Sequence, residues 1–396
     1  MPLIINDISL LLGQELEYVE RGYLVIEDGR IKRAGAGSYK GNSLGGRGFL
    51  AIPGFVNAHT HIADSIAKDI AVGQTLDDRV HPVFGVKKKI LEKSRPDHLK
   101  SFIRNSAVSM MKKGIVAFAD FREGGADGVR LLRNAVAGLP IKCVALGRTS
   151  YYGGPDEKSD LPGGAIKEAG EVLAMADGLG ISGANENSDL ALARYRTLAG
   201  AKLLAIHAAE SRETVAFSKN HTGRSEVERI TRIMKPDFMV HMTNATDDEI
   251  SLAAENKVGI VVCPRANGVL GAGIPRVAQM VRQGCIVAIG TDNVMLNSPD
   301  ITREMDYIWK ASRVLESEMI NAREILKMAT VNAATILQLN SGCIEAGRAA
   351  DLIFIDKGHA DLYPMHDPHA SIVHRLSESS IRSVMIDGRF AGETVN

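Results

Sequence analysis

The chain has 396 residues, which is enough for one large domain or for a large domain with a small companion. It contains 47 lysine and arginine residues and 47 aspartate and glutamate residues, and this zero formal net charge argues against binding to nucleic acid or to an anionic membrane. Hydrophobic residues make up 45% of the chain, which is too high a fraction for a mainly disordered protein.

The cysteines and the first residues bear on the cellular compartment. The four cysteines are far apart and form no C-x-x-C pair, so we expect neither a disulfide scaffold nor a cysteine zinc site. The opening sequence MPLIINDISLLL has no basic region, and no apolar run approaches the roughly 18 residues of a membrane span. These features predict a reduced, cytoplasmic protein.

Both ends of the chain show short strand patterns joined by turns. Residues 23–34 have a hairpin pattern with Asp-Gly at the turn. Towards the other end, residues 351–355 are a strand candidate, and residues 384–389 give a second hairpin signal. Neither end has enough strands to bury a core alone, so we expect residues 1–52 and 341–396 to form one small β domain.

The middle of the chain, residues 53–340, alternates short β-branched runs with amphipathic helical stretches. Eight such strand–helix units favour a (β/α)8 barrel over an open doubly wound sheet. The runs lie near residues 51–57, 115–121, 141–147, 177–182, 202–207, 237–242, 258–263 and 285–291.

The strongest chemical signal is the pair His59 and His61, at the end of the first run. Residues two apart in a strand point to the same face and lie about 7 Å apart, so both imidazoles can reach one metal ion. The alternative is a pair of polar residues that closes a strand, because H-x-H alone also occurs by chance.

Other metal-binding residue types follow later strands. His207 ends the fifth run, His241 the sixth and Asp292 the eighth, and in a barrel such positions face the mouth where active sites are built. A single histidine at a strand end is usually structural, but this many coordinating residues at strand ends are hard to explain separately. Glu210 follows His207 by three residues and is a candidate for proton transfer, although glutamate also suits a helix start.

Several motifs are shared with one enzyme superfamily. They lie in residues 51–62, 202–212, 238–250 and 258–305, where the stretches VCPRAN, GTD and NSPD occur, and in residues 344–353. In these segments the chain resembles the amidohydrolase superfamily, and most closely the branch of cytosine, adenosine-type and guanine deaminases, triazine chlorohydrolases and imidazolonepropionases. The resemblance implies a TIM barrel with a small β-sandwich formed by both termini.

The resemblance also implies roles for the strand-end residues. The implied ligands of one divalent metal ion are His59, His61, His207 and Asp292. Zinc is the first choice, and iron or manganese also suit such ligands. His241 would orient or polarise the attacking water, Asp292 would also take its proton, and Glu210 would protonate a ring nitrogen of the substrate. Binuclear relatives use a lysine or glutamate after strand three or four, where this chain offers Arg148 and no lysine.

The implied activity is hydrolysis of a carbon–nitrogen bond other than a peptide bond. Deamination of an aminated purine, pyrimidine, pterin or triazine is the main expectation. Ring opening of an imidazolone-like cyclic amide, or removal of chloride, is the alternative with the same site. Non-enzymatic relatives on this scaffold typically lack the metal histidines, which argues against a purely interacting protein. The resemblance also implies a homo-oligomer, a dimer or a tetramer.

Substrate contacts are where the chain departs from nucleoside-acting relatives. Those relatives often have a Trp and a Pro-x-Glu motif in the loop after strand one, but this chain has Pro-Val-Phe at residues 82–84 and its only Trp is Trp309. The absence of this glutamate weakens a nucleoside assignment. For His81 a solvated loop position stays open, as does a surface salt bridge for Arg148 and Arg265. The expected pocket residues are His81, Phe84, Asp120, Arg148, Arg265, Asn267 and Asn293.

Overall fold

The structure is a computed structural model that describes residues 2–81, 83–156, 158–317 and 319–391. Pro82, which belongs to the loop motif discussed above, lies outside the described residues. Within the described ranges, no helix has both the length and the apolar composition that crossing a membrane requires.

Strands from both chain ends form one mixed sheet. Its strands are β1 (Leu3–Leu12), β2 (Glu17–Glu27), β3 (Arg30–Ala36), β4 (Leu44–Gly45), β5 (Phe49–Pro53), β15 (Leu352–Asp356), β16 (Ile381–Ile386) and β17 (Arg389–Ala391). Their order is β17-β16-β15-β5-β1-β2-β3, and β4 pairs with β1. The two chain ends therefore meet, as the sequence indicated. The β-sandwich domain and its boundaries near residues 52 and 340 stay predictions.

A second sheet contains the strands of the middle region. They are β6 (Phe55–His61), β7 (Ile115–Arg122), β8 (Lys142–Gly147), β9 (Gly178–Ile181), β10 (Leu203–Ala208), β11 (Phe238–His241), β12 (Gly259–Val262), β13 (Val287–Ile289) and β14 (Asp292–Asn293). All pairs are parallel, in the order β13-β12-β11-β10-β9-β8-β7-β6-β14. Because β13 pairs with β12, and β14 of the same stretch pairs with β6, the sheet is consistent with a TIM-like barrel.

The first predicted run, residues 51–57, is divided between the two sheets. Its first part belongs to β5 of the terminal sheet, and its second part opens β6 of the barrel sheet. Gly54 lies between them, at a close approach where a Cβ would lie 2.3 Å from Val116 Cγ1. His59 and His61 consequently lie within β6, further along the chain than the predicted end of the strand.

Helices connect most of the barrel strands and cover the sheet. They are α1 (Leu76–Val80), α2 (Val86–Lys93), α3 (Pro96–Lys112), α4 (Gly125–Val136), α5 (Gly163–Leu173), α6 (Asp189–Ala199), α7 (Arg212–Thr222), α8 (Glu226–Arg229), α9 (Asp247–Glu255), α10 (Pro264–Leu270), α11 (Val277–Arg282), α12 (Ile301–Leu315), α13 (Ala322–Met328), α14 (Val331–Ile336) and α15 (Pro368–Arg375). Shorter helical turns span Ile62–Ala67 and Glu378–Ser380, both 3-10, and Ile230–Met234, a π-helix.

Burial along the barrel strands explains their sequence. Every residue of β6, β7, β9, β11 and β12 is buried, as expected for parallel strands that are covered on both faces. Polar residues at the carboxyl ends of such strands are therefore unusual, and those ends are where the site residues lie.

Candidate metal-dependent active site

Four histidine rings converge at the carboxyl ends of β6, β10 and β11. The ring centroid of His59 lies 4.9 Å from that of His61, 5.0 Å from His207 and 6.1 Å from His241. Ligand atoms of His59, His61 and His207 lie within 4.8 Å of one another, and so do those of His59, His241 and Asp292. Residues that are far apart in the chain thus come within the reach of one ion.

Asp292 supplies a buried carboxylate to this cluster. Its Oδ1 lies 3.2 Å from His59 Nε2 and 3.6 Å from His61 Nε2. Burial by itself would raise the pKa of Asp292, but the facing imidazoles of His59, His241 and His61 outweigh it and hold that pKa well below its usual range. The carboxylate is therefore ionised at neutral pH and can serve as an anionic metal ligand.

The histidine nitrogens fit a metal ion. Both ring nitrogens of His59 are buried and lack a hydrogen bond within the described residues. His207 donates from Nδ1 to Ser182 O (2.8 Å), and His61 Nδ1 faces Phe121 O (3.2 Å), which leaves each Nε2 with a free lone pair. Burial lowers the pKa of His61 to about 3 and lowers the pKa values of His59 and His207, so these rings are neutral. Neutral imidazoles with free Nε2 atoms are the form that binds zinc.

His241, one of the four converging histidines, forms a pair with Glu210. His241 Nε2 is 3.6 Å from Glu210 Oε2, and the Asn267 amide donates to His241 Nδ1 at 3.1 Å. With Nδ1 accepting, the neutral ring carries its proton on Nε2, so His241 is suited to handling protons. Burial raises the pKa of Glu210 above its ordinary value, so this carboxyl group holds a proton more readily than an exposed glutamate does.

The two candidate arginines are engaged in ion pairs. Arg265 Nη1 lies 3.3 Å from Glu304 Oε1, and the side chain of Glu304 is fully buried. Arg148 Nη2 lies 3.1 Å from Glu123 Oε1. Both pairs are largely buried, in contrast to the surface salt bridges considered from the sequence. Contact of either arginine with substrate stays a prediction.

Asp120 is hydrogen-bonded to the residues on either side of His61. Its Oδ1 accepts hydrogen bonds from the Thr60 hydroxyl (3.0 Å) and from the Ile62 amide (2.6 Å). The next residue, Phe121, packs on the His59 ring with a centroid distance of 4.5 Å. Successive strand residues point to opposite faces, so these bonds place the Asp120 carboxylate on the side of Thr60, between His59 and His61 in the sequence. Contact of Asp120 with substrate stays a prediction.

The remaining pocket candidates have other contacts. The Asn293 amide donates to Asp64 Oδ2 at 2.7 Å, and the Met295 amide donates to Asp64 Oδ1 at 3.0 Å, so Asp64 holds the end of β14 and the turn that follows it. His81 stacks on Phe84 with ring centroids 3.8 Å apart, and Phe84 is 50% exposed. Whether Asn293, His81 and Phe84 contact substrate stays a prediction.

Sequence reasoning missed two groups near the cluster. Glu123 follows β7, and its Oε1 lies 3.1 Å from Nδ1 of His61. Lys87 of α2 is buried and lies 2.7 Å from the same oxygen. Glu123 stands just after a barrel strand, like the residues that were found, so its position was a usable signal. For Lys87 the sequence offers no such signal, because a lysine in a long connection is usually solvated.

The chain is similar to known proteins along most of its length. The chain matches the amidohydrolase family over residues 50–391. A putative aminohydrolase of Methanothermobacter thermautotrophicus is 37% identical over 392 residues, which cover 98% of each chain. A 5-methylthioadenosine/S-adenosylhomocysteine deaminase of Moorella thermoacetica is 28% identical over 398 residues, which cover 94% of this chain and 90% of the relative.

Among solved structures, a zinc-bound adenosine deaminase from Xanthomonas campestris has the same fold. It superposes with a TM-score of 0.85 over 98% of this chain and 92% of that chain, at 21% sequence identity. The family match extends over most of the sequence and includes every strand of the barrel sheet. The chain therefore belongs to the amidohydrolase family.

Proposed function

We propose that this amidohydrolase is a metal-dependent deaminase, which replaces an amino group on a nitrogen heterocycle by a hydroxyl group and releases ammonia. The observation that carries the proposal is the convergence of a buried ligand set with a separate proton-transfer pair. Relatives that are named deaminases support the same reaction.

The residues that would hold the metal are His59, His61, His207 and Asp292. The buried nitrogens of His59, which have no hydrogen bond among the described residues, support this assignment, because an unsatisfied buried polar group is otherwise costly. A divalent ion such as zinc, when bound, supplies a positive charge that lowers the pKa of a coordinated water molecule to about 7.

The side chains next to the ligands would direct the protons. The Asp292 carboxylate, ionised because of its histidine neighbours, would accept a proton from the attacking water. His241 would donate from Nε2 and orient that water, since the Asn267 amide occupies its Nδ1. Glu210, 3.6 Å from His241, would protonate the adjacent ring nitrogen of the substrate. The new C–O bond forms, the C–N bond breaks, and the amino group leaves as ammonia with the proton that Asp292 accepted from the water. Loss of one proton from the product to Glu210 restores that carboxyl group.

Aminopurines are the first substrate class to test. The Moorella relative, 28% identical, is named for 5-methylthioadenosine and S-adenosylhomocysteine, and the superposable Xanthomonas structure is named for adenosine. Phe84 stands where nucleoside-acting relatives often have glutamate, so aminated pyrimidines, pterins and triazines belong in the same panel. A dimer or tetramer, a cytoplasmic location and the terminal β-sandwich rest on the sequence alone and stay predictions.

Ammonia release tests the proposal directly. The purified protein is loaded with zinc, iron or manganese and incubated with the panel, while the Glu210→Gln variant serves as the control for contaminating deaminases. We expect the wild-type protein, but not the Glu210→Gln variant, to release ammonia from at least one aminated ring. Binding of these compounds without ammonia release would refute deamination. A product that has gained the mass of water would identify ring opening of a cyclic amide. Release of chloride from a chlorotriazine would identify a chlorohydrolase.

A further inference from the structure

Behind the proposed metal site, one carboxylate gathers four nitrogen groups. Glu123 follows β7, and its side chain is 18% exposed. Its Oε1 lies 2.7 Å from Lys87 Nζ, 3.1 Å from His61 Nδ1 and 3.1 Å from Arg148 Nη2. Its Oε2 lies 2.7 Å from Arg122 Nη2. Three cations and one metal-binding histidine therefore share a single carboxylate.

The cations reach Glu123 from different parts of the chain. Arg122 ends β7 and Arg148 directly follows β8, so both lie at the carboxyl ends of neighbouring barrel strands. Lys87 belongs to α2, in the connection between β6 and α3, which we call the 62–95 connection. A carboxylate that contacts groups from both places joins the barrel to this connection.

Lys87 has an unusual position within α2. It is the one buried residue of this helix, at 6% exposure, while Ile90 and Leu91 are half-buried. A buried ammonium group is costly unless it is paired, so the contact with Glu123 is needed to keep α2 in this place. Lys89, two residues further along, is exposed and provides a matched control.

We propose that Glu123 has two tasks: it orients His61 for metal binding, and it anchors the 62–95 connection through Lys87. The first task rests on the proposed metal site. A carboxylate that accepts from Nδ1–H of a ligating histidine fixes the ring and makes Nε2 a better ligand. Nε2 of His61 points to the Asp292 side, 3.6 Å from Oδ1, as this arrangement requires.

The two tasks respond differently to mutation. Removal of the Glu123 charge leaves three cations without their shared anion beside a site for a further cation, so metal binding weakens. Removal of Lys87 takes away one of those cations, and this change cannot reduce the electrostatic attraction for a metal ion. In a variant without Lys87, Arg122 and Arg148 still pair with the Glu123 carboxylate, so we expect the protein to stay folded.

The experiment combines zinc affinity with hydrogen exchange. The zinc dissociation constant is measured by competition with a chromophoric chelator, and amide exchange of peptides from the 62–95 connection is measured at saturating zinc. We expect Glu123→Gln to weaken zinc binding by about 10–100-fold and to speed this exchange. Lys87→Met is expected to speed the exchange without weakening zinc binding. Lys87→Arg, which keeps the charge, and Lys89→Met are expected to match the wild type in both measurements.

The outcomes distinguish failure of the metal site from failure of either task of Glu123. A wild-type protein that binds no zinc would refute the metal site and with it the first task of Glu123. Tight wild-type binding that Glu123→Gln leaves unchanged would refute only the orienting task. Unchanged exchange in Lys87→Met would refute the anchor, and a tenfold loss of zinc affinity in that variant would refute the separation of the tasks. If Glu123→Gln does not fold, Glu123→Asp, which keeps the charge but shortens the reach to His61 and Lys87, takes its place, with faster exchange and a smaller loss of zinc affinity expected.

Discussion

Glu210 and His241 form the proton-handling pair of the proposed site, with 3.6 Å between Oε2 and Nε2. In Glu210→Gln the side chain keeps its shape but cannot exchange a proton. We expect kcat to fall by about 10²–10⁴-fold, the usual range for loss of a general acid or base, while the zinc content stays the same. Ammonia release and metal analysis on the same preparation check both parts, and an unchanged kcat would remove Glu210 from the reaction.

Asn267 is buried, and its amide donates to His241 Nδ1 at 3.1 Å. Without this donor the imidazole is free to change its tautomer and its orientation. We expect Asn267→Ala to lower kcat by about 10–100-fold, the range seen when a supporting partner of a site residue is lost, with a smaller effect on KM. Steady-state kinetics measures this split. A rise in KM alone would show that Asn267 contacts the substrate, as the sequence suggested.

Glu226 has a buried carboxyl group that accepts from the Ala209 amide at 3.2 Å, next to the strand end that carries His207. Burial, together with Glu186, raises its pKa to about 8, from an ordinary value of about 4.5. The folded state therefore binds a proton that the unfolded state releases between these values, so this group makes stability fall as pH rises from about 4.5 to about 8.

The variant Glu226→Gln removes this titration while keeping the acceptor for Ala209. Urea unfolding at about pH 6 and about pH 9 compares the two proteins. We expect the wild type to lose more unfolding free energy than the variant over this interval. Equal losses in both proteins would show that Glu226 is already ionised in the folded state at the lower pH.

At the scale of strands, the site depends on unusual backbone at strand ends. Ala209 has a φ of 46°, His241 of 78° and Asp292 of 58°, which are left-handed values that non-glycine residues rarely adopt. Ala209 directly follows β10, His241 ends β11, and Asp292 opens β14. Such conformations persist where the surrounding structure enforces them, and they cluster at functional sites.

Gly290 lies between β13 and β14, where the chain passes close to β6. A Cβ at this position would lie 2.7 Å from His59 Cβ and 3.0 Å from Cys263 Sγ. We expect Gly290→Ala to destabilise the fold by about 1–3 kcal/mol, the usual range for overpacking, and to weaken zinc binding by displacing His59 and Asp292. Denaturant unfolding and the chelator competition measure the two effects, and zinc binding at wild-type strength would show that the strands absorb the extra methyl group.

The barrel strands could be predicted because β-branched runs and strand-end polar residues are local signals. The break at Gly54 could not, since the apolar residues on both sides of it form one continuous pattern, and the close approach of Val116 at Gly54 is a contact that no local pattern reports. The hydrogen bonds of Asp120 to Thr60 and Ile62 could not be predicted for a related reason, because the sequence shows that a residue ends a strand but not which face it occupies. The contacts of Glu123 depend on three separate segments of the chain, which no local pattern reports.

At the scale of the whole molecule, the proposed ligands join distant parts of the barrel sheet. His59 and His61 lie in β6, His207 lies in β10 and Asp292 opens β14. Their side chains are buried or nearly so, and three of the four are imidazoles packed at centroid distances of 4.9–5.5 Å. Since an unfolded chain cannot hold these groups together, an ion bound by all four would favour the folded state over the unfolded one.

Removal of metal should therefore lower thermal stability. A ligand at 1,000 times its dissociation constant stabilises the folded state by about 4 kcal/mol, so we expect the Tm of chelator-treated protein to rise by several degrees when excess zinc is restored. Calorimetry of the wild type and of His207→Ala measures this shift, and the variant, which lacks one ligand, should show a much smaller one. An equal rise in both proteins would place the stabilising zinc outside the histidine cluster, and no rise in the wild type would contradict a metal ion bound between these strands.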